Sequence, residues 1–122
     1  MKKESTVKLV ISYALMFLLL LSLCPALAQA TAPKDVKITY DASSQILTVT
    51  ITHKSAFTNS HYIKYVEITK NGTSVSKNIY ENQPEPETFT YTYPVPAAKG
   101  DSLAVKASCS MYGSKTATLD IQ

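Results

Sequence analysis

The chain has 122 residues, 12 basic against 9 acidic side chains and a formal net charge of +3, a length that suits one small domain. Lys2, Lys3 and Lys8 hold much of the excess, because nine lysines face eight acidic residues after Ala30 and there is no arginine. This excludes the clustered basic surface that nucleic acid binding requires, and two cysteines, Cys24 and Cys109, are too few for a disulfide scaffold.

The first segment reads as an export signal. Three lysines give it a positive start, Leu9 to Cys24 is a Leu-rich apolar run, and Ala28-Gln29-Ala30 is a small-x-small cleavage site. The run of about 16 residues falls short of the roughly 20 that span a bilayer. Residues 1–30 are therefore expected to be a signal peptide and residues 31–122 the folded domain, exported to a periplasm or secreted, with no membrane contact after cleavage. A retained N-terminal anchor is the alternative. Leu23 stands before Cys24 where lipid attachment expects a small residue, which weighs against a lipoprotein.

The rest reads as all-β, with about seven short strands rich in Val, Ile, Thr and Tyr between turn residues, the pattern of an immunoglobulin-like sandwich. Val36, Ile38 and Tyr40 alternate with polar residues, and Asp41-Ala-Ser-Ser44 turns the chain. Ile46 to His53 puts Leu47, Val49, Ile51 and His53 on one face, since strand side chains repeat every two residues. Tyr62 to Lys70 and Val75 to Tyr80 flank Asn71-Gly72, a hairpin signal. That turn reading also accounts for the Asn71-Gly-Thr73 sequon. A polar connection, Glu81 to Glu87, leads to a strand carrying Phe89, Tyr91 and Tyr93, closed by Pro94 and Pro96. Tyr80, Tyr91 and Tyr93 could be taken for a sugar- or peptide-binding strip, but cross-strand packing accounts for them better. Leu103, Val105, Ala107 and Cys109 share a face, and Ala117, Leu119 and Ile121 form a last strand.

Two of these strands end on chemistry. His53 and Cys109 each continue an apolar strand face to its last position, and His61 closes the loop that His53 opens. Two imidazoles and a thiol are donors suited to iron, zinc or copper. The plain alternative is a buried cysteine acting as a small apolar residue and histidines at sheet ends. No base, nucleophile or phosphate-binding loop suggests another chemistry, and the serines form no coherent triad.

The segment His53…His61-Tyr-Ile-Lys-Tyr-Val-Glu67 resembles the His-Pro-Met-x-x-x-His-Tyr-Ile-x-Trp-Ile-Glu of desulfoferrodoxin and neelaredoxin domains. Cys109-Ser-Met-Tyr-Gly113 is similar to their Cys-Asn-x-His-Gly, and Lys34-Asp35-Val36-Lys37-Ile38 to their Lys-His-Val-Pro-Val. The resemblance runs in order from Lys34 to Lys115. It implies an immunoglobulin-like sandwich with a mononuclear non-haem ferrous iron at its rim, held by four histidines in a plane and an axial cysteine. It implies reduction of superoxide to peroxide, with electrons from an unidentified donor. His53 and His61 match two of those histidines, Cys109 the cysteine, and Lys34 the lysine that attracts superoxide. Asp35 stands where the first histidine belongs and Tyr112 where the last does. The His53–His61 loop is also two residues longer than the family's and lacks its proline. Oxygen donors from Asp35 and Tyr112 would complete a metal site but favour ferric iron, which suits an electron donor poorly.

A second resemblance is to the sulfur-oxidation Z-type carrier-binding protein. It rests on His53, His61-Tyr-Ile63, Asn71-Gly72 and Gly100-Asp-Ser-Leu-Ala-Val105. The longer loop suits that family better, and Cys109 suits it worse. Two functions therefore stand side by side: a metal-binding, superoxide reductase-like domain, and a metal-free exported sandwich that binds a partner through its edges. Either is compatible with a homo-oligomer.

Overall fold

The computed structural model describes residues 2–22 and 32–122. Cys24 and the Ala28-Gln29-Ala30 cleavage site lie outside the described residues. The N-terminal segment forms helix α1 (Lys2–Ser22), whose apolar side chains, Leu15 and Phe17 among them, are exposed. No described helix is long and apolar enough to cross a membrane.

Seven strands follow: β1 (Asp35–Asp41), β2 (Ile46–Thr52), β3 (Ile63–Lys70), β4 (Thr73–Ile79), β5 (Thr88–Pro94), β6 (Ser102–Cys109) and β7 (Ser114–Asp120). They form two antiparallel sheets, β1-β2-β5 and β4-β3-β6-β7. In constant-type immunoglobulin domains the fourth strand lies in the sheet of the first, second and fifth; here it pairs with the third. That sheet choice follows from the tight Asn71-Gly72 hairpin. Both residues take positive φ, 53° and 81°, so the turn's twist matches the strands it joins.

Alternation builds the core. From one sheet come Leu47, Val49 and Ile51; from the other, Ile63, Val66, Ile68, Leu103, Val105 and Ala107. All are fully buried, and each large aliphatic side chain contributes about 1.5–3 kcal/mol by leaving water. β1 packs against β7, closing one long side of the sandwich. The tyrosines pack on the flank as expected: Tyr80 and Tyr91 stack in parallel at 4.4 Å, and the Tyr80 and Tyr93 hydroxyls hydrogen-bond at 2.7 Å. Loss of water pushes the Tyr91 phenol up to about 12.

Two features of register position the rim. In the β3–β6 ladder Ile63 faces Cys109 and Tyr65 faces Ser108, so Lys64 is an extra residue in β3. Such a bulge bends a strand and re-aims its end. His61, two residues before Ile63, is thereby held at the same end of the sandwich as Cys109. In the other sheet the ladder runs one step past β2, where the His53 amide donates to the Glu87 carbonyl at 2.7 Å. His53 thus keeps the inward parity of Ile51.

Candidate metal centre

At this end the two sheets bring three side chains together. One donor atom each from His53, His61 and Cys109 lies within 4.8 Å of the others. The imidazoles meet edge to face, with centroids 4.6 Å apart and planes at 65°. Bonds of about 2.0–2.3 Å at trigonal angles separate two donors by about 3.7 Å. Capture of an ion therefore draws the widest pair in by about 1 Å, within reach of small χ rotations.

The site is largely shielded from water. His53 is 1 % exposed and Cys109 7 %, and His61 is half-buried. Burial, and then the neighbouring His53, hold the His61 imidazole below the ordinary histidine value of 6.5, so its lone pair is free at neutral pH. The Nε2 atoms of both rings are buried with no hydrogen-bond partner. Such orphans are uncommon, because an unpaired buried polar atom costs about 1–3 kcal/mol.

A side chain outside the ligand group sets the tautomer of His53. The Gln83 carboxamide Nε2 donates to the carbonyls of His53, at 2.7 Å, and Glu85, at 2.8 Å. Its Oε1 therefore faces His53 Nδ1, at 2.7 Å. An amide oxygen can only accept, so Nδ1 carries the proton and Nε2 presents a bare lone pair. This is how metal-binding histidines are ordinarily oriented. Gln83 also secures the long loop, since its backbone amide donates to Thr58 O at 3.0 Å and Ser55 N donates to Pro86 O at 2.7 Å. Phe57 O accepts from both Ser60 N and His61 N, and the Ser55 hydroxyl donates to the His61 carbonyl. The two extra residues of this loop are thus tied down at both ends.

The thiol is held by its own turn. Met111 N approaches Cys109 Sγ at 3.4 Å, the contact of an amide donating to sulfur. Cys109 N donates to Gly113 O at 2.9 Å, and Ser110 N to Tyr62 O at 2.8 Å, which stitches this turn to the residue after His61.

The remaining expected residues do not join the group. Strand parity that turns Val36 inward turns Asp35 outward, where Lys37 Nζ lies 3.9 Å from its carboxylate. Tyr112 is 63 % exposed. Lys34 is exposed at the start of β1, its amide bonded to Thr52 O and its carbonyl to Lys115 Nζ. Asn71, the sequon residue, has its side-chain amide engaged with Asp101 and Ser102. Gln83 is not legible in the sequence, because a glutamine between Asn82 and Pro84 in a polar connection reads as solvent-facing. Only its burial, at 3 % exposure, reveals its role.

No protein-family model matches the chain, and no curated protein matches it. Solved structures do. A superoxide reductase from Nanoarchaeum equitans shares 17 % identity at a TM-score of 0.43, over 75 % of this chain and 93 % of that one. A superoxide reductase (neelaredoxin) from Ignicoccus hospitalis shares 16 % identity at 0.48, over 81 % of this chain and 87 % of that one. The chain is thus similar in structure to superoxide reductases, and it carries a His–His–Cys group that could hold a metal.

Proposed function

We propose that the chain is an exported metal-binding domain whose ion is held by His53 Nε2, His61 Nε2 and Cys109 Sγ. The observation that carries this reading is the pair of buried, unpartnered Nε2 atoms beside a buried thiol. Each donor is already in the state a metal needs or one proton away from it: two neutral rings, and a thiol that loses a proton on binding. The full iron set implied by the resemblance does not fit these residues, since Asp35 faces away and Tyr112 is exposed. Superoxide, and a donor to reduce the ion, remain the reaction partners that the motif resemblance suggests. Lys34 would then attract the anion from the start of β1. Export is supported by the basic start, the apolar helix and Ala28-Gln29-Ala30.

The test is direct. The purified full-length chain is titrated with Zn(II), Fe(II) and Cu(I) without oxygen, and bound metal is counted. One ion per chain, lost in Cys109→Ser and in His61→Ala, is the expected result. No stoichiometric binding of any of the three leaves the metal-free binding module as the function. Superoxide consumption by the loaded chain, compared with Lys34→Ala, tests the finer reading, and the mass of the chain recovered from the exported fraction tests cleavage.

A further inference from the structure

We propose that this centre is built for a soft, low-coordinate ion, Cu(I), held by three protein donors, and not for a five-coordinate iron. The inference rests on the metal-binding reading above and deepens it by naming the ion.

Three observations carry it. The first is number. Among the described histidine, cysteine, aspartate and glutamate side chains, three donors meet here, and no carboxylate is among them. Asp35, at the motif position of a further ligand, points outward toward Lys37. Structural zinc sites take four protein ligands, and zinc with three protein donors carries a water as its fourth.

The second is charge. Two neutral imidazoles and one thiolate sum to −1, which a monovalent ion cancels. A divalent ion would leave a net positive charge between a histidine 1 % exposed and a cysteine 7 % exposed. Uncompensated charge is costly away from water. The surroundings offer little relief. The nearest side chain on the far side of His53 is the Gln83 amide, which is neutral. The amide of Met111 already points at the sulfur, at 3.4 Å.

The third is donor type. Thiolate is a soft ligand that selects Cu(I) or zinc, and imidazole suits copper as well. Gln83 leaves Nε2 of His53 as the ligating atom, and Nε2 of His61 is likewise unpartnered. Binding is an exchange: the Cys109 S–H bond breaks, a sulfur–copper bond forms, and one proton leaves to solvent with no change in oxidation state.

Affinity alone is a poor test, because a thiolate draws Cu(I) whatever the number of other donors. Coordination number is the discriminating quantity. The full-length chain is loaded with one equivalent of Cu(I) under argon, and its X-ray absorption spectrum is recorded. Two nitrogens and one sulfur, with no fourth donor, are expected. Competition against a chromophoric Cu(I) chelator should show a loss of about 100-fold or more in Cys109→Ser and in His61→Ala, at least as large as the loss of a supporting residue causes. Asp35→Ala and Tyr112→Phe should leave it unchanged. Circular dichroism of each apo variant checks folding, and the two ligand variants give independent readings. A fourth or fifth donor on copper, or loss of binding in Asp35→Ala or Tyr112→Phe, overturns the inference. So does one-to-one binding of Fe(II) or Zn(II) without a three-coordinate copper form, although the metal-binding reading then survives. Failure to bind any of the three ions overturns both.

Discussion

Gln83 is the side chain on which the chemistry of His53 depends. It accepts from Nδ1 while donating to two backbone carbonyls, so the ring is held in one tautomer and one orientation. Gln83→Leu removes all three contacts. Metal affinity should fall by about 10- to 100-fold, as when other supporting partners of metal-bound histidines are removed. The apo chain should lose about 1–3 kcal/mol, because a buried donor and buried acceptors are left unpaired. Calorimetric titration with Zn(II) and thermal unfolding measure the two effects. Gln83→Glu separates them: it keeps the acceptor for Nδ1 and gives up the donor, so affinity should hold better than stability. Residue parity explains what the sequence revealed. His53 and Cys109 were readable as inward-facing because each extends a run of apolar residues spaced by two. The same rule, applied to Val36 and Ile38, puts Asp35 on the outward face, although the motif match makes it a candidate ligand, and the structure leaves it beside Lys37. Gln83 could not be read, since its contacts cross from a connection to a strand end and follow no period.

The turns are the elements that fix the rim and its opposite end. Gly113 lies at φ 70°, and a Cβ placed there would sit 2.8 Å from Ala32 Cβ. Its carbonyl accepts from Cys109 N, so the strain of a side chain would act beside the thiol. Gly113→Ala should destabilise the chain by about 1–3 kcal/mol, measured by thermal unfolding. Adding Ala32→Gly should recover the part due to the clash but not the part due to φ, and the double-mutant cycle gives the split. At the far end the Asn71 side chain donates to Asp101, whose second oxygen accepts from Ala98 N. Chiefly through the Asn71 bond, these contacts hold the Asp101 carboxyl below its ordinary 3.8. A depressed folded-state value means that the unfolded chain takes up its proton first. The stabilisation is therefore fully present above pH 3.8 and is lost as pH falls through the folded value. Asp101→Ala should lower Tm at pH 6 and flatten the decline of Tm below pH 4. Equal acid sensitivity in both proteins would sink this account. The strands that these turns join were legible from alternation and from Asn71-Gly72. The Lys64 bulge leaves a break in that alternation, since Ile63 and Val66 are both buried although three residues apart, but Tyr65 keeps the period with Ile63 and masks it, and the pairing with β6 makes it plain.

The whole molecule gives the centre its energetic meaning. His53 extends β2 of the three-stranded sheet, whereas His61 precedes β3 and Cys109 ends β6 in the four-stranded sheet. A bound ion is therefore a bridge between the two layers, at an end of the sandwich where apolar contact gives way to loops. The unfolded chain holds no such arrangement, since His53 and Cys109 are far apart in sequence, so binding is linked to folding. The gain follows from mass action: about 2.7 kcal/mol at a free-ion concentration 100 times Kd and about 4.1 at 1,000 times. Tm of the full-length chain should rise on loading and fall back with excess chelator, while Cys109→Ser should show neither change. The kinetics sharpen the prediction. The bridge joins the layers and cannot form until both are in place, so it should be absent from the folding transition state. Loading should then slow unfolding and leave refolding nearly unchanged. A chelator-sensitive unfolding rate in the native sequence, beside an insensitive one in Cys109→Ser, would show that the ion clamps the sheets. Equal rates with and without metal in the native sequence would mean that any ion bound there touches one sheet alone.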